Sequence, residues 1–262
     1  MSNYRIAIPS YNRVDELGAK TLKLLEYHGF EKDLIDIFVA NQEEYDKYKE
    51  KYKDYNIVIG EKGIREIREF VLLNYYEENQ AIVFIDDDIE EIFKKDPNQH
   101  NKFLQGKVDL KKEIDLAFNE CKERKLSLWG IYPLKNPFFM SDKITYDYKF
   151  IIGHFFGLVI KKDLCKLSKN IGGKDDYERS ILHYMKEGGM VRINNLCAKT
   201  KYLAPGGIGP VRDQSEKCEL LMNKYPGLLS LRIKKTGAPN PILRDMRKLE
   251  TTSSFKIKKK VE

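Results

Sequence analysis

Along the first third of the chain, apolar residues switch repeatedly between a period of two and a period near 3.6. "YRIAIPS" (4–10) alternates as a strand, and "DELGAKTLKLLEYHG" (15–29) carries its leucines on one helical face and closes at Gly29. The same pairing recurs in strand "IDIFVAN" and helix "EEYDKYKEKYK", then in strand "NIVIG" and helix "GIREIREFVLLNYYEE". Strand "AIVFID" (81–86) completes the series. Helix-length segments between short apolar strands predict right-handed βαβ units and a largely parallel sheet. Sheets of this kind bind ligands beyond the carboxyl ends of their strands. The loops that begin at Pro9-Ser10, Asn41-Gln42, Gly60-Glu61 and Asp86–Asp88 are therefore expected to converge on one crevice.

The pattern then becomes mixed. "DLKKEIDLAFNECKERK" (109–125) predicts a helix and "LSLWGIYP" a strand, while "KFIIGHFFGLVIKK" (149–162) reads as strand, turn, strand. "KDDYERSILHYMKEGG" is a further helix and "MVRIN" a short strand. No repeat and no Gly/Ser/Pro linker interrupts the chain. The expectation is one α/β domain over 1–240, with a nucleotide-binding half (about 1–95) and an acceptor-binding half (about 96–240) on one sheet. A basic tail, 241–262, follows.

Composition narrows the class. At 262 residues, 42% hydrophobic and 33% charged, the chain is long enough and apolar enough for a core and is not a disordered polymer. No apolar run approaches the roughly 20 residues that span a bilayer. The start enters a strand pattern at once, without a signal peptide, so a cytoplasmic, non-membrane protein is expected, and a monomer. Cys121, Cys165, Cys197 and Cys218 are scattered without a CxxC pair, as for reduced structural thiols. The net charge of +7 fits attraction to a polyanion and fits a soluble lysine-rich surface equally well. The tail "TTSSFKIKKKVE" reads as a frayed end or as a DNA-contacting arm.

The sharpest chemical signal is "AIVFIDDDIEEIF" (81–93), a buried-strand pattern that runs into Asp86, Asp87 and Asp88. Adjacent carboxylates repel unless a cation or donors compensate. A DxD-type motif at a strand end suits a Mg²⁺ or Mn²⁺ ion shared with a nucleotide diphosphate. Asp88 is the expected direct ligand, Asp86 reaches the metal or the ribose, and Asp87 assists. The competing reading is an acidic helix start.

"IAIPSYNR" and "VFIDDDI" resemble glycosyltransferases of the GT-A fold. Together with "GIREIREFV", "GIYPLKNPFFM", "FIIGHFFGLV", "GKDDYERS" and "VRINN", over roughly residues 4 to 230, the set resembles the TET/JBP-associated (base J-type) DNA glycosyltransferases. Many of those occur in bacteriophages and large viruses. The resemblance implies metal-dependent transfer of a sugar from a nucleotide sugar, UDP-glucose or a relative, to a 5-hydroxymethylpyrimidine in DNA. It implies that Pro9, Ser10 and Tyr11 hold base and ribose, with Tyr11 stacking. Arg13 is a phosphate contact or a solvated loop residue, and Asn41 and Gln42 read a uracil edge or cap a helix. Gly63 admits close backbone approach, Arg65 is the expected diphosphate contact, and Arg68 shares its face or pairs with a surface glutamate.

Transfer with inversion needs a base for the acceptor hydroxyl. Asp176 stands at the helix start where the resemblance implies the base, and Asp175 stands where an "xED" motif has glutamate. Gly153, His154 and Gly157 of "GHFFG", with Tyr132, are acceptor-side candidates. Trp129, Tyr132, Phe138 and Phe139 could form a stacking wall for a nucleobase, and for all but Tyr132 a place in the core is the expected reading. Arg212, in the glycine- and proline-rich stretch 201–217, is a candidate for closing over the donor or tracking DNA. Three other readings stand beside this one. They are a GT-A enzyme with a glycan, lipid or protein acceptor, a nucleotidyltransferase (which lacks its Gly-rich loop here), and a non-catalytic basic DNA-binding module.

Overall fold

The computed structural model describes residues 3–200, 215–233 and 239–247. Its first part runs β1 (Tyr4–Pro9), α1 (14–27), β2 (Ile35–Val39), α2 (Gln42–Lys51), β3 (Asn56–Ile59), α3 (64–75) and β4 (Ala81–Ile85). The second part begins with β5 (Glu91–Lys94), α4 (Leu110–Arg124), β6 (Leu128–Tyr132), β7 (Ile144–Thr145) and β8 (Phe155–Val159). It continues with α5 (Lys162–Cys165), α6 (Asp175–Glu187), β9 (Val191–Lys199) and α7 (Ser215–Lys224). A separate hairpin, β10 (Leu229–Ile233) with β11 (Pro239–Leu243), follows.

The main sheet has the order β3-β2-β1-β4-β8-β6-β9-β5, with β7 also on β9. Its first four strands are parallel, Ile6 lying opposite Ile35 and Val83. β8 opposes both β4 and β6, β6 and β9 are parallel, and β5 and β7 oppose β9. The expected α/β architecture is thus present, parallel in its first half and mixed in its second.

Period-two alternation explains how the central strands β1 and β4 are buried on both faces. Ile6, Ile8, Val83 and Ile85 pack with α1, α2 and α4, whereas Ala7, Ile82 and Phe84 pack with α3, α6 and α7. The four cysteines are buried and free. Among the described residues no helix is long and apolar enough to cross a membrane.

Three expectations are corrected. Residues 149–154 form no strand, because their backbone turns to side chains instead of a ladder: Ile151 N donates to Ser180 Oγ at 3.1 Å. The stretch after the aspartates does not start a helix. It forms β5 against an extended β9, which reaches Lys199 instead of ending at Asn194. Trp129 is in the core, but Phe138 and Phe139 are 54% and 61% exposed. The stretch 201–214, with Arg212, and the tail 248–262 lie outside the described residues.

Candidate active site

Where β4 ends, the backbone is pinned from two sides. Asp86 N donates to His154 O at 2.9 Å. From a π-helical turn of α1 (Gly18–Leu22), the buried Thr21 Oγ1 donates to Asp86 O at 2.7 Å and accepts Ile89 N at 3.0 Å. Such turns are frequent at functional sites, and this one aims a side chain at the acidic turn.

The three carboxylates do not face one another unshielded. Asp86 pairs with Arg68 Nη2 at 2.6 Å. Asp87 accepts from Ser10 Oγ at 2.6 Å and from Arg13 Nη1 at 2.9 Å. Asp88 accepts from Thr200 Oγ1 at 2.6 Å and stands 3.4 Å from Arg13. Burial pushes Asp87 up to about 6 despite Ser10 and Arg13, and it raises Asp86 despite Arg68.

Arg68 is the hinge between this turn and α6. Its guanidinium, on a residue only 4% exposed, also donates to Gly153 O at 2.7 Å and to Asp175 Oδ2 at 3.0 Å. A Cβ at Gly153 would lie 2.9 Å from Arg68 Nη1, so the glycine makes room for the cation. Arg179, one turn along α6, stands 3.6 Å from Asp175 and packs 3.8 Å from the centre of the Phe156 ring. Burial pushes the Asp175 carboxyl up, but Arg68 and Arg179 outweigh it and hold the group below the usual range. Its neighbour Asp176 accepts only from the Tyr177 N–H, at 2.9 Å, among the bonds seen at its side chain. Burial and the Asp175 charge push it up to about 7. Two adjacent aspartates therefore differ: Asp175 is held as an anion by two arginines, and Asp176 is pushed toward its neutral form.

Beside them opens a cleft of about 410 Å³. Of the expected donor residues, Pro9, Ser10, Tyr11, Arg13, Gly63, Arg65, Asp86 and Asp87 line it. Gly63 has φ +113°, a conformation that favours glycine. The two arginines have different partners. Arg65 reaches the cleft wall but is occupied by Glu66 (2.7 Å) and Glu69 (2.6 Å), whereas Arg68 has no surface glutamate and binds Asp86 and Asp175.

Asn41 and Gln42 do not line the cleft. Asn41 caps α2 by accepting Glu44 N at 2.9 Å, and the exposed Gln42 donates to Asp46. Gly157 is no acceptor contact either. It lies inside β8 against Trp129, which a Cβ would meet at 2.4 Å. Tyr132 is half-buried at the end of β6, with the Arg192 guanidinium 5.5 Å from its ring. Sequence reasoning missed Thr21 and Thr200, which hold the acidic turn, and Lys62, which stands 5.1 Å from the Tyr11 ring in the cleft wall. Only the π-turn's glycine and threonine could have hinted at the first.

The donor set fits a hard divalent ion shared with a ligand. Among the described residues, no three His, Cys, Asp or Glu side chains gather closely enough to hold a metal alone. Mg²⁺ and Mn²⁺ sites of the diphosphate type take one or two carboxylates and complete their shell with phosphate oxygens and water. Asp86 and Asp88 are the carboxylates that could supply that oxygen pair. His154 Nε2, buried and without a hydrogen-bond partner, is nearby enough for the Asp88 charge to act on it, and burial keeps the ring neutral, its pKa lowered to about 4.

No protein-family model matches the chain, and neither does any curated protein. Two solved structures are similar to it at a distance. A mannosyltransferase from Pyrobaculum calidifontis in complex with GDP-Man and Mn²⁺ shares 12% identity over 73% of this chain, with a TM-score of 0.48. This chain spans 55% of that protein's length. Glucosyl-3-phosphoglycerate synthase from Mycobacterium tuberculosis, in complex with Mn²⁺, UDP and glucosyl-3-phosphoglycerate, shares 9% identity over 94% of this chain and 92% of its own, with a TM-score of 0.45. The architecture described above stands on its own strand order and register.

Proposed function

We propose that the protein is a metal-dependent glycosyltransferase of the GT-A kind that moves a sugar from a nucleotide sugar to the hydroxymethyl group of a 5-hydroxymethylpyrimidine in DNA. The observation that carries the reading is Arg68, which joins the aspartates after β4 to the start of α6 and leaves Asp176 as the proton acceptor. A donor cleft with a base close by is what a displacement at a sugar carbon requires.

In this account the cleft wall of Pro9, Ser10, Tyr11 and Gly63 holds the nucleoside, and Asp86 with Asp88 holds the ion. A divalent cation there supplies neutralisation of the charge that grows on the leaving diphosphate. Asp176 takes the proton of the acceptor hydroxyl as that oxygen bonds to the anomeric carbon and the bond to diphosphate breaks. Attack from the base's side, opposite the leaving group, gives inversion. Asp175 stays ionised between two arginines and takes no part in proton transfer. The DNA acceptor is supported by the resemblance of the ordered motifs and by the net charge of +7.

The test is mass spectrometry of hydroxymethylpyrimidine DNA, unmodified DNA and a cell-wall glycan after incubation with a panel of nucleotide sugars and Mn²⁺. Added hexose or pentose mass on the modified DNA alone is the expected result. Asp88→Ala and Asp176→Ala each lose it, and Asp176→Ala still binds donor. Mass gain only on the glycan overturns the acceptor, and wild-type turnover in Asp176→Ala overturns the base.

A further inference from the structure

The exposure of Phe138 and Phe139 needs an account, because large apolar side chains do not ordinarily stand together in water. They lie in the loop that follows β6, a strand parallel in direction to β1 and β4, so they share the carboxyl edge with the acidic turn. Their rings meet edge to face at 4.9 Å, and His100 approaches Phe138 at 5.6 Å. Leu134 beside them is 61% exposed, and Leu104, on the neighbouring loop, 42%.

The platform is rigid. The buried Lys95 donates its ammonium to Pro137 O at 2.6 Å and also to His100 O, clamping the loop after β6 to the loop after β5. Phe138 N and Phe139 N are both held by Asn136. Lys135 lies 3.8 Å from the centre of the Phe93 ring, and Phe93 packs on Phe103 at 5.0 Å. Lys102, in the loop after β5, and Lys135 and Lys143, in the loop after β6, are exposed, and the exposed Asp142 already accepts from Asn195.

Exposed aromatic faces on loops that also carry exposed lysines match one chemistry well: stacked bases joined by phosphates. We propose that this face is a docking surface for an unpaired polynucleotide strand, with bases stacking on Phe138 and Phe139 and phosphates meeting Lys102, Lys135 and Lys143. The proposal rests on the reading of the acceptor as DNA, and it names where the strand leaves the crevice.

Fluorescence anisotropy with labelled oligothymidylate, without donor or metal, tests it across a salt series. Phe138→Ala/Phe139→Ala should weaken binding about tenfold or more, since stacking contributes on the order of 1–3 kcal/mol per base. Lys102→Ala/Lys135→Ala should flatten the log–log salt slope by about 1.4. Both variants alter exposed side chains, and unchanged circular dichroism and UDP–Mn²⁺ affinity serve as controls for folding and for the donor site. Unaltered oligonucleotide affinity in both variants overturns the surface and leaves the transferase reading intact. Equal displacement of the oligonucleotide by polyglutamate also overturns it, as a general anion surface. If the wild type binds no oligonucleotide but glycosylates a free hydroxymethylated nucleoside, the surface fails and the enzyme survives.

Discussion

The sheet carries buried aspartates at both of its ends, and they are treated in opposite ways. At the amino end of β2, the fully buried Asp36 receives Arg5 through Nη2 (2.5 Å) and Nε (2.9 Å), Asn56 at 2.7 Å and the hydroxyl of Tyr76. Four donors fill both of its oxygens. At the carboxyl end, Asp86, Asp87, Asp88 and Asp175 share Arg13, Arg68, Arg179 and two hydroxyls, while Asp176 accepts from the Tyr177 N–H. Burial leaves Asp87 near 6, and burial with the Asp175 charge leaves Asp176 near 7. A carboxylate with every lone pair satisfied is mortar for the fold. A cluster short of donors keeps free energy in reserve for a cation or a proton, and such clusters mark working sites.

The contrast breaks first at Asp176. Asp176→Asn should lower kcat by about 10² to 10⁴, the usual contribution of a positioned base, with donor affinity kept in calorimetry. Wild-type kcat/KM should rise with pH through about 7 and then level, because the base acts deprotonated. Stability runs the other way. An ordinary aspartate titrates near 3.8, so between that pH and about 7 the folded state holds the proton more tightly than the unfolded chain. The stability this provides is present at acid pH and is lost as pH rises through the folded value. Urea unfolding from pH 5 to 8 should therefore show a downward slope that Asp176→Asn makes shallower. An unchanged slope would place Asp176 among the satisfied groups.

At the other end the effect should be structural only. Asp36→Asn loses the charge opposite Arg5 and should cost about 2–3 kcal/mol in denaturant unfolding, with turnover per folded molecule unchanged. Arg5 keeps partial contact with solvent, which limits the loss. A fall in kcat would join the two ends and spoil the comparison. The smallest change is Asn41→Ala, which removes the α2 cap and should cost about 1 kcal/mol while leaving donor affinity alone. Weaker donor binding in that variant would return Asn41 to the cleft.

Local pattern was sufficient where burial is continuous. "YRIAIPS" and "AIVFID" hold β1 and β4 almost to the residue, because each strand is packed on both faces and neither has an alternative period. The mixed half was less legible for a physical reason. β5 exists only because β9 runs past Asn194 to meet it, a pairing about 100 residues apart that no window of sequence contains. The site shows the same division. Asp86–Asp88 and Asp175–Asp176 are visible as residue types, but Arg65 and Arg68 look alike on one helical face. The structure separates them: Arg68 reaches Asp86, Asp175 and the Gly153 carbonyl, and Arg65 pairs with Glu66 and Glu69. Phe138 and Phe139 read as core because composition cannot tell a packed ring from a presented one.

The space at Gly153 sets a limit on how this protein could diversify. A side chain there would push against Arg68 Nη1, the atom that holds Asp175, on a guanidinium whose other nitrogen holds Asp86, so substitution at position 153 disturbs the link between the two carboxylates. New acceptor preferences would have to be written elsewhere, in the surface segments after β5 and β6 that touch neither carboxylate. Change in target would then leave the chemistry intact.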